Sequence, residues 1–247
     1  MDSFSLKNQK FVVVGGSGLL GRSVISSIYQ AGGEVLNADL LKSDPASLAN
    51  YLEFDAVSEN SVANLFREIH GLGGVNGMVN CSYPRGSGYG TGPEELSFEQ
   101  FCSTVNVHLG SYFLITREFA KYFAKAGGGS IVNLSSIYGI KAPRFDLYEG
   151  LEFSVPAEYV ASKAGINQLT RYFAALYKKA GVRCNVVAPG GVVDNQPEVF
   201  LERYREYAGT KGMLDPGDIA GSVVFFLSGA SQYITGQVLT IDEGWSL

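Results

Sequence analysis

Tyr159 and Lys163 stand four residues apart in the stretch Y-V-A-S-K, residues 159 to 163. Side chains at that spacing lie one above the other on an α-helix, so a phenol and an ammonium would project from one face. A free phenol titrates near ~10, and a cation within ~4–6 Å lowers an acid's pKa by about 1–3 units, so such a pair is suited to proton transfer. Alone the spacing proves little. A helix whose buried face ends in a tyrosine and whose wet face begins with a lysine gives the same pattern, and the rest of the chain has to decide.

A second chemical feature lies near the start. In V-G-G-S-G-L-L-G, residues 14 to 21, Gly15, Gly18 and Gly21 fall three apart, with Ser17, Leu19 and Leu20 between them. The turn follows the β-branched run K-F-V-V-V and opens a helical pattern, where glycine lets the backbone bend sharply and approach a pyrophosphate. Asp39 closes the next strand, placed for a carboxylate to accept from adenosine ribose hydroxyls and repel a 2′-phosphate. This favours NAD over NADP, although the cations Arg22 and Lys42 stand nearby.

The elements that must carry these residues alternate along the chain. Apolar runs predict strands over 10–14, 34–38, 50–54, 75–80, 130–135, 183–188 and 237–241. Helical spacing predicts helices over 19–31, 59–70, 98–125, 157–179 and 218–227. Strands separated by helices imply right-handed crossovers and a mostly parallel sheet covered on both faces, an α/β doubly wound fold with its ligand site at the carboxyl ends of the strands. No repeat or linker divides residues 1–247, so one domain is expected.

The 247 residues are 46% apolar and 17% charged, with net charge −5, a profile that excludes a disordered or nucleic-acid-coating chain. No signal-like or membrane-spanning stretch is evident, and a cytoplasmic protein is expected. Cys81, Cys102 and Cys184 are too scattered for a disulfide framework or a zinc cluster, so no metal is expected.

With these pieces placed, the chain resembles the short-chain dehydrogenase/reductase family over essentially its whole length. The motifs agree in order: the glycine turn, Asp55 and Ala56 in F-D-A, V-N-C-S at 79–82, Asn106 in V-N-V-H, S-I-V-N-L-S-S at 130–136, Y-V-A-S-K, A-P-G at 188–190 and I-D-E-G-W at 241–245. The resemblance implies that Ser136 holds the substrate oxygen, Tyr159 is the general acid/base, Lys163 its partner and Asn106 the anchor of a water near that lysine. It implies cofactor contacts at Gly15, Ser17, Gly18, Leu19, Leu20, Gly21, Asp39, Asp55, Ala56, Asn80, Cys81, Ser82, Pro189, Gly190 and Val192. Tyr159 and Lys163 would also reach the nicotinamide ribose.

Three departures shape the expectation. Leu19 replaces a usual glycine, a spacing shared with sugar-nucleotide epimerases and dehydratases. Cys81 and Ser82 stand where the family usually has other small residues. The interval from Ser136 to Tyr159 is longer than usual, so residues 137–158 are expected to form a substrate loop, with 191–213 as a lid.

Arg85, Arg144 and Arg203, with Tyr148, are expected to line a polar, anionic substrate site. The reading is an NAD(H)-dependent oxidoreductase interconverting a secondary alcohol and ketone of a sugar, sugar phosphate or nucleotide sugar. It also resembles a bacterial surface-sugar and flagellin-modification subgroup. The alternatives are an epimerase or dehydratase that recycles its NAD, and a non-catalytic NAD sensor. A homodimer or homotetramer through the helices near 98–125 and 157–179 is expected.

Overall fold

A computed structural model describes residues 3–42 and 48–247. In chain order the elements are β1 (Lys10–Val14), α1 (Leu19–Gln30), β2 (Glu34–Asp39), β3 (Asn50–Glu53), α2 (Glu59–Gly71), β4 (Gly77–Asn80) and α3 (Phe98–Ala126). After these come β5 (Gly129–Leu134), α4 (Ala157–Tyr177), β6 (Val182–Pro189), α5 (Glu198–Arg205), α6 (Pro216–Leu227) and β7 (Val238–Ile241). The strands form one sheet in the order β3-β2-β1-β4-β5-β6-β7, and all neighbours are parallel. The order reverses between β1 and β4, which places a crevice at their carboxyl ends.

The period-2 alternation of β1 explains how one strand serves two cores. Val12 and Val14 point to the layer of α2 and α3, against Leu65, Ile69, Phe119 and Phe123. Phe11 and Val13 point to the layer of α1 and α6, against Ile25, Ile28, Val223 and Phe226. A third, smaller cluster joins Ile137 and Leu147 of the 137–158 segment to Phe200 and Tyr204 of α5, Met213 and Trp245.

Local sequence sets the helix ends. Ser97 and Gln100 form a capping box at α3, and Gly127 ends that helix at φ +88°. Ser58 caps α2 by accepting from the Ser61 N–H. α1 begins at Gly18 with no side-chain cap, so its first N–H groups are left for another partner.

Helix α5 goes beyond the sequence reading, which assigns no helix to 198–205. It is short, but Phe200 and Tyr204 are four apart and both buried in the third cluster, so tertiary packing rather than propensity sustains it. Among the described residues no helix is long and apolar enough to cross a membrane, and no group of three or more His, Cys, Asp or Glu side chains is placed to hold a metal ion.

Candidate active site

The loop after β5 and the first turns of α4 bring Ser136 and Tyr159 together. Ser135 Oγ donates to the Lys163 carbonyl at 2.9 Å, and Asn167 Nδ2 donates to the Gly139 carbonyl at 2.9 Å. Between them the short turn Ile137–Gly139 packs hard on α4: a Cβ at Gly139 would stand 2.7 Å from the Lys163 carbonyl carbon. Ser136 and Tyr159 both line a cavity of about 320 Å³, and the Ser136 hydroxyl lies where it favours the phenol's charged form.

Lys163 lies behind the tyrosine. Its Nζ donates to the Leu134 carbonyl at 3.1 Å and faces the rings of Tyr83, Tyr112 and Tyr159 at 5.6, 5.4 and 5.6 Å. Burial pulls the Lys163 ammonium down to about 7. The expectation that Lys163 lowers Tyr159 is corrected: burial pushes the phenol up to about 12, opposed by the Ser136 hydroxyl. Desolvation outweighs the lysine because the lysine is itself desolvated.

A second cleft, of about 490 Å³, shares Tyr83 as a wall with the first. It is lined by Gly15, Ser17, Gly18, Asp39, Asp55, Ala56, Cys81 and Ser82, all expected cofactor residues. Gly15 has φ +74°, and a Cβ there would stand 2.8 Å from the Cys81 carbonyl carbon. Gly21 is closer still, 2.2 Å from the Gly15 oxygen, whereas a Cβ at Gly18 would meet nothing nearer than 3.4 Å. Two of the three glycines thus close the turn against its neighbours.

Asp39 Oδ2 accepts from the Ser17 N–H at 2.9 Å and its Oδ1 from the Leu41 N–H at 3.1 Å. The carboxylate keeps lone pairs for hydroxyl donors in the cleft. Arg22 also lines the cleft and donates to the Ser17 carbonyl at 3.3 Å, while Lys42 lies over the Tyr51 ring at 6.0 Å. Burial pushes the Cys81 thiol up to about 12, so it is not a reactive thiolate.

Of the remaining expected cofactor residues, Leu20, Pro189, Gly190 and Val192 line the first cavity. Leu19, Gly21 and Asn80 line neither cleft. Asn80 is fully buried and turns inward, its Oδ1 accepting from the Ser82 N–H at 3.0 Å and the Ser82 hydroxyl at 2.7 Å. It shapes the turn after β4 without reaching the cleft.

Two groups of site expectations are overturned. Asn106 is exposed and lines a groove with Gly165 and Tyr172 on the outer face of α3 and α4. The residue turned toward Lys163 is His108, two positions on, fully buried, stacked on Tyr112 and edge-to-face with Tyr83 and Tyr159. Two residues rotate a helix by about 200°, so the V-N-V-H match placed the polar side chain on the wrong face. The buried series Thr104, His108, Tyr112 at i, i+4 was the available signal.

The arginines are the second group. None of Arg85, Arg144 and Arg203 lines the cavity. Arg85 lies over the rings of Tyr83 and Tyr89 at 4.9 and 5.2 Å, and Arg144 over Tyr207 and Trp245 at 4.2 and 5.2 Å. Arg203 donates to the carbonyls of Leu147 and Glu149 at 3.1 and 2.7 Å, holding the 137–158 segment onto α5. Arg85 thus braces two tyrosines of the cavity wall from outside, while Arg144 and Arg203 contact residues that do not line it. Tyr148 does line the cavity, hydrogen-bonded through its hydroxyl to that of Tyr138 at 2.9 Å.

The arrangement pairs a phenol and a serine hydroxyl at a tyrosine-rich cavity with a glycine-turn cleft bearing a carboxylate. Comparisons with known proteins give the relatives of the chain as a whole. A family model described as enoyl-(acyl carrier protein) reductase matches residues 20–246. A post-translational flagellin modification protein A of Campylobacter coli is 38% identical, over 98% of this chain and 100% of its own length. A 7α-hydroxysteroid dehydrogenase of Bacteroides fragilis is 27% identical over 98% of this chain and 95% of its own. Among solved structures, a short-chain dehydrogenase from Leptospira borgpetersenii with bound NAD+ superposes with a TM-score of 0.89 at 26% identity, covering 99% of this chain and 95% of that one.

Proposed function

Because the chain belongs to the short-chain dehydrogenase/reductase family, a family of oxidoreductases, we propose that it interconverts a secondary alcohol and a ketone with NAD(H), using Tyr159, Ser136 and Lys163. The observation that carries this reading is the meeting of Ser136 and Tyr159 on one cavity wall, with Lys163 behind them and the Asp39 cleft sharing the Tyr83 wall.

The second cleft fits an NAD adenosine and pyrophosphate. The close approaches at Gly15 and Gly21 keep the turn narrow, and α1 offers uncapped N–H groups to a phosphate. Asp39 would hold the ribose hydroxyls and oppose a 2′-phosphate. Bound nicotinamide supplies the hydride acceptor or donor.

The chain's own residues manage the proton. In ketone reduction Ser136 orients the oxygen and stabilises its growing charge, while Tyr159 donates to the developing alkoxide. The phenol is protonated in the free protein, the form this direction needs. In oxidation the same oxygen receives the alcohol proton after first losing its own.

The substrate reading changes with the arginines. Among the described residues the cavity wall carries no charged side chain; it is built from Tyr83, Tyr89, Tyr138, Tyr148, Phe153 and Phe200 with small polar groups between. An uncharged, hydroxylated ring fits it, its apolar face on the aromatics and its hydroxyls on the tyrosines. We therefore place the reacting end of the substrate among neutral sugars or cyclic alcohols, in place of a sugar phosphate at that end. The relative named for flagellin modification supports the surface-sugar branch of this reading.

The deciding experiment follows NADH formation from NAD+ with N-acetylglucosamine, myo-inositol and cyclohexanol, and with glucose 6-phosphate as the anionic counterpart. Turnover of a neutral alcohol supports the assignment. Turnover of the phosphate alone contradicts the substrate class, and conversion of a sugar without net NADH would point to an epimerase or dehydratase.

The exposed groove between α3 and α4, with Phe113 and Tyr172 at its surface, supports the expected homodimer or homotetramer. A monomer by sedimentation would remove that expectation.

A further inference from the structure

Lys163 is 5% exposed and forms no ion pair among the described residues. Its ammonium has three N–H donors, and the Leu134 carbonyl takes one of them at 3.1 Å. A buried charge without a carboxylate partner is costly, and what closes around this one is aromatic. The rings of Tyr83, Tyr112 and Tyr159 face Nζ at 5.6, 5.4 and 5.6 Å.

The three rings differ in what fixes them. Tyr112 is fully buried, its hydroxyl 3.1, 3.2 and 3.0 Å from the carbonyls of Asn80, Ser82 and Leu134. Tyr159 is the reacting group of the proposed chemistry. Tyr83 is the wall shared by the two clefts, its hydroxyl bonded to that of Tyr89.

The chain on either side sets the place of Tyr83. Asn80 Oδ1 accepts from the Ser82 N–H and hydroxyl at 3.0 and 2.7 Å, which fixes the turn after β4, and Pro84 disfavours helical angles at the residue before it. The ring stands edge-to-face with Tyr159 at 5.8 Å and with His108 at 5.0 Å, and the Arg85 guanidinium lies over it at 4.9 Å. It is held from several sides.

We propose that Tyr83 is a positioning residue for the proton-transfer pair, the face of its ring holding the Lys163 side chain as an ammonium beside Tyr159 where a carboxylate would otherwise be needed. The proposal rests on the reading of Tyr159 and Lys163 as the pair that serves the substrate. A cation over an aromatic face is attracted by the ring quadrupole, and by more where water is excluded. In alcohol oxidation an ammonium there attracts the Tyr159 oxygen as it becomes a phenolate, which a neutral amine does not.

The other titratable groups facing Lys163 supply no counter-charge. From the loop after β4 comes Cys81, whose thiol burial pushes up to about 12, and from α4 comes Tyr159, also pushed up to about 12. From α3 come Tyr112, raised well above its usual range by burial, and His108, which burial first and then the Lys163 charge pull down to about 3. Burial first, then Tyr89 and Tyr159, raise the Tyr83 phenol well above its usual range as well. All five are neutral at working pH, so Tyr83 acts through its ring face.

Two variants separate that face from bulk and from the hydroxyl. Tyr83→Leu keeps bulk over the amine without a ring, and Tyr83→Phe keeps the ring without the Tyr89 contact. Lysine labelled with 13C at Cε reports the charge of Lys163 in the full chain, and Lys163→Met identifies its signal. The Lys163 titration should fall by about 0.5–1 pH unit in Tyr83→Leu and stay near the parent in Tyr83→Phe.

Kinetics give the second readout, with the alcohol that yields NADH in the screen above and saturating NAD+. At pH ~8, above the Lys163 titration, kcat should fall by about 3–10-fold in Tyr83→Leu, the equivalent of that shift, and Tyr83→Phe should restore most of it. An unmoved Lys163 titration in Tyr83→Leu overturns the proposal, and so does a raised one, which would mean that the ring only kept water out. Equal losses in Tyr83→Leu and Tyr83→Phe would assign the effect to the hydroxyl and overturn it too. A fully active Tyr159→Phe would instead remove the reading beneath it, whatever the titration shows.

Discussion

Lys163 Nζ donates to the carbonyl of Leu134 at 3.1 Å, which ties the second turn of α4 to the end of β5 and buries an ammonium under three tyrosine rings. The tie has a pH signature. Burial brings Lys163 from 10.5 down to about 7, so between those values the unfolded chain binds a proton there that the folded chain does not. Stability from this position therefore rises with pH across that window, and below it the buried charge costs most. Lys163→Met is expected to raise Tm most near pH ~6, with the gain shrinking toward pH ~10. Thermal unfolding of both proteins across that range checks it, and a constant offset would contradict it.

Tyr159→Phe removes one oxygen from the cavity wall and little packing. Turnover should fall by about 10²–10⁴-fold, the range for a lost general acid/base. The circular dichroism spectrum and the Kd for NAD+ should stay close to those of the parent, which separates a chemical loss from a folding one.

Asn106 faces the outer groove and His108 the site. Asn106→Ala should leave kcat and KM within about twofold, as for a substitution that leaves the cavity wall untouched. A steady-state comparison decides the register of α3 in the site: a loss of activity at Asn106 with none at His108 would reverse the assignment.

Asp39 accepts from two N–H groups and lines the cleft beside Arg22. Asp39→Asn should weaken NAD+ by about 10–100-fold, the loss of one charge-assisted hydrogen bond of about 1.5–3 kcal/mol. NADP+ should gain relative to NAD+ because the repelling charge is gone. Titrating both cofactors by protein fluorescence gives the ratio, and an unaltered ratio would argue against a ribose contact.

The three glycines of the turn are not equivalent. Gly15→Ala meets backbone at 2.8 Å with φ +74°, and Gly21→Ala meets the Gly15 oxygen at 2.2 Å. Both should lower stability by about 1–3 kcal/mol or more, as strained overpacked sites do. Gly18→Ala has 3.4 Å of clearance and should change the Tm of the ligand-free protein little. Melting all three variants without NAD+ tests the ranking.

Much of this protein is written in short-range pattern. Apolar runs marked the inner strands β1, β4, β5 and β6, because a strand buried on both faces needs no partner sequence to be recognised. The turn at Gly15, the carboxylate at Asp39 and the Tyr159–Lys163 spacing are likewise local, each set within a few residues by backbone geometry. Packing decided the rest. Whether residue 106 or 108 meets the site depends on which face of α3 lies on α4, and the Arg144 head rests on Trp245, a ring supplied by a distant segment.

The charge state of the central pair also belongs to the assembled molecule. Sequence puts a cation one turn from a phenol, but only the folded interior strips water from both, moving Lys163 down and Tyr159 up. Spacing along a helix is fixed by 3.6 residues per turn, whereas desolvation depends on everything that closes around it.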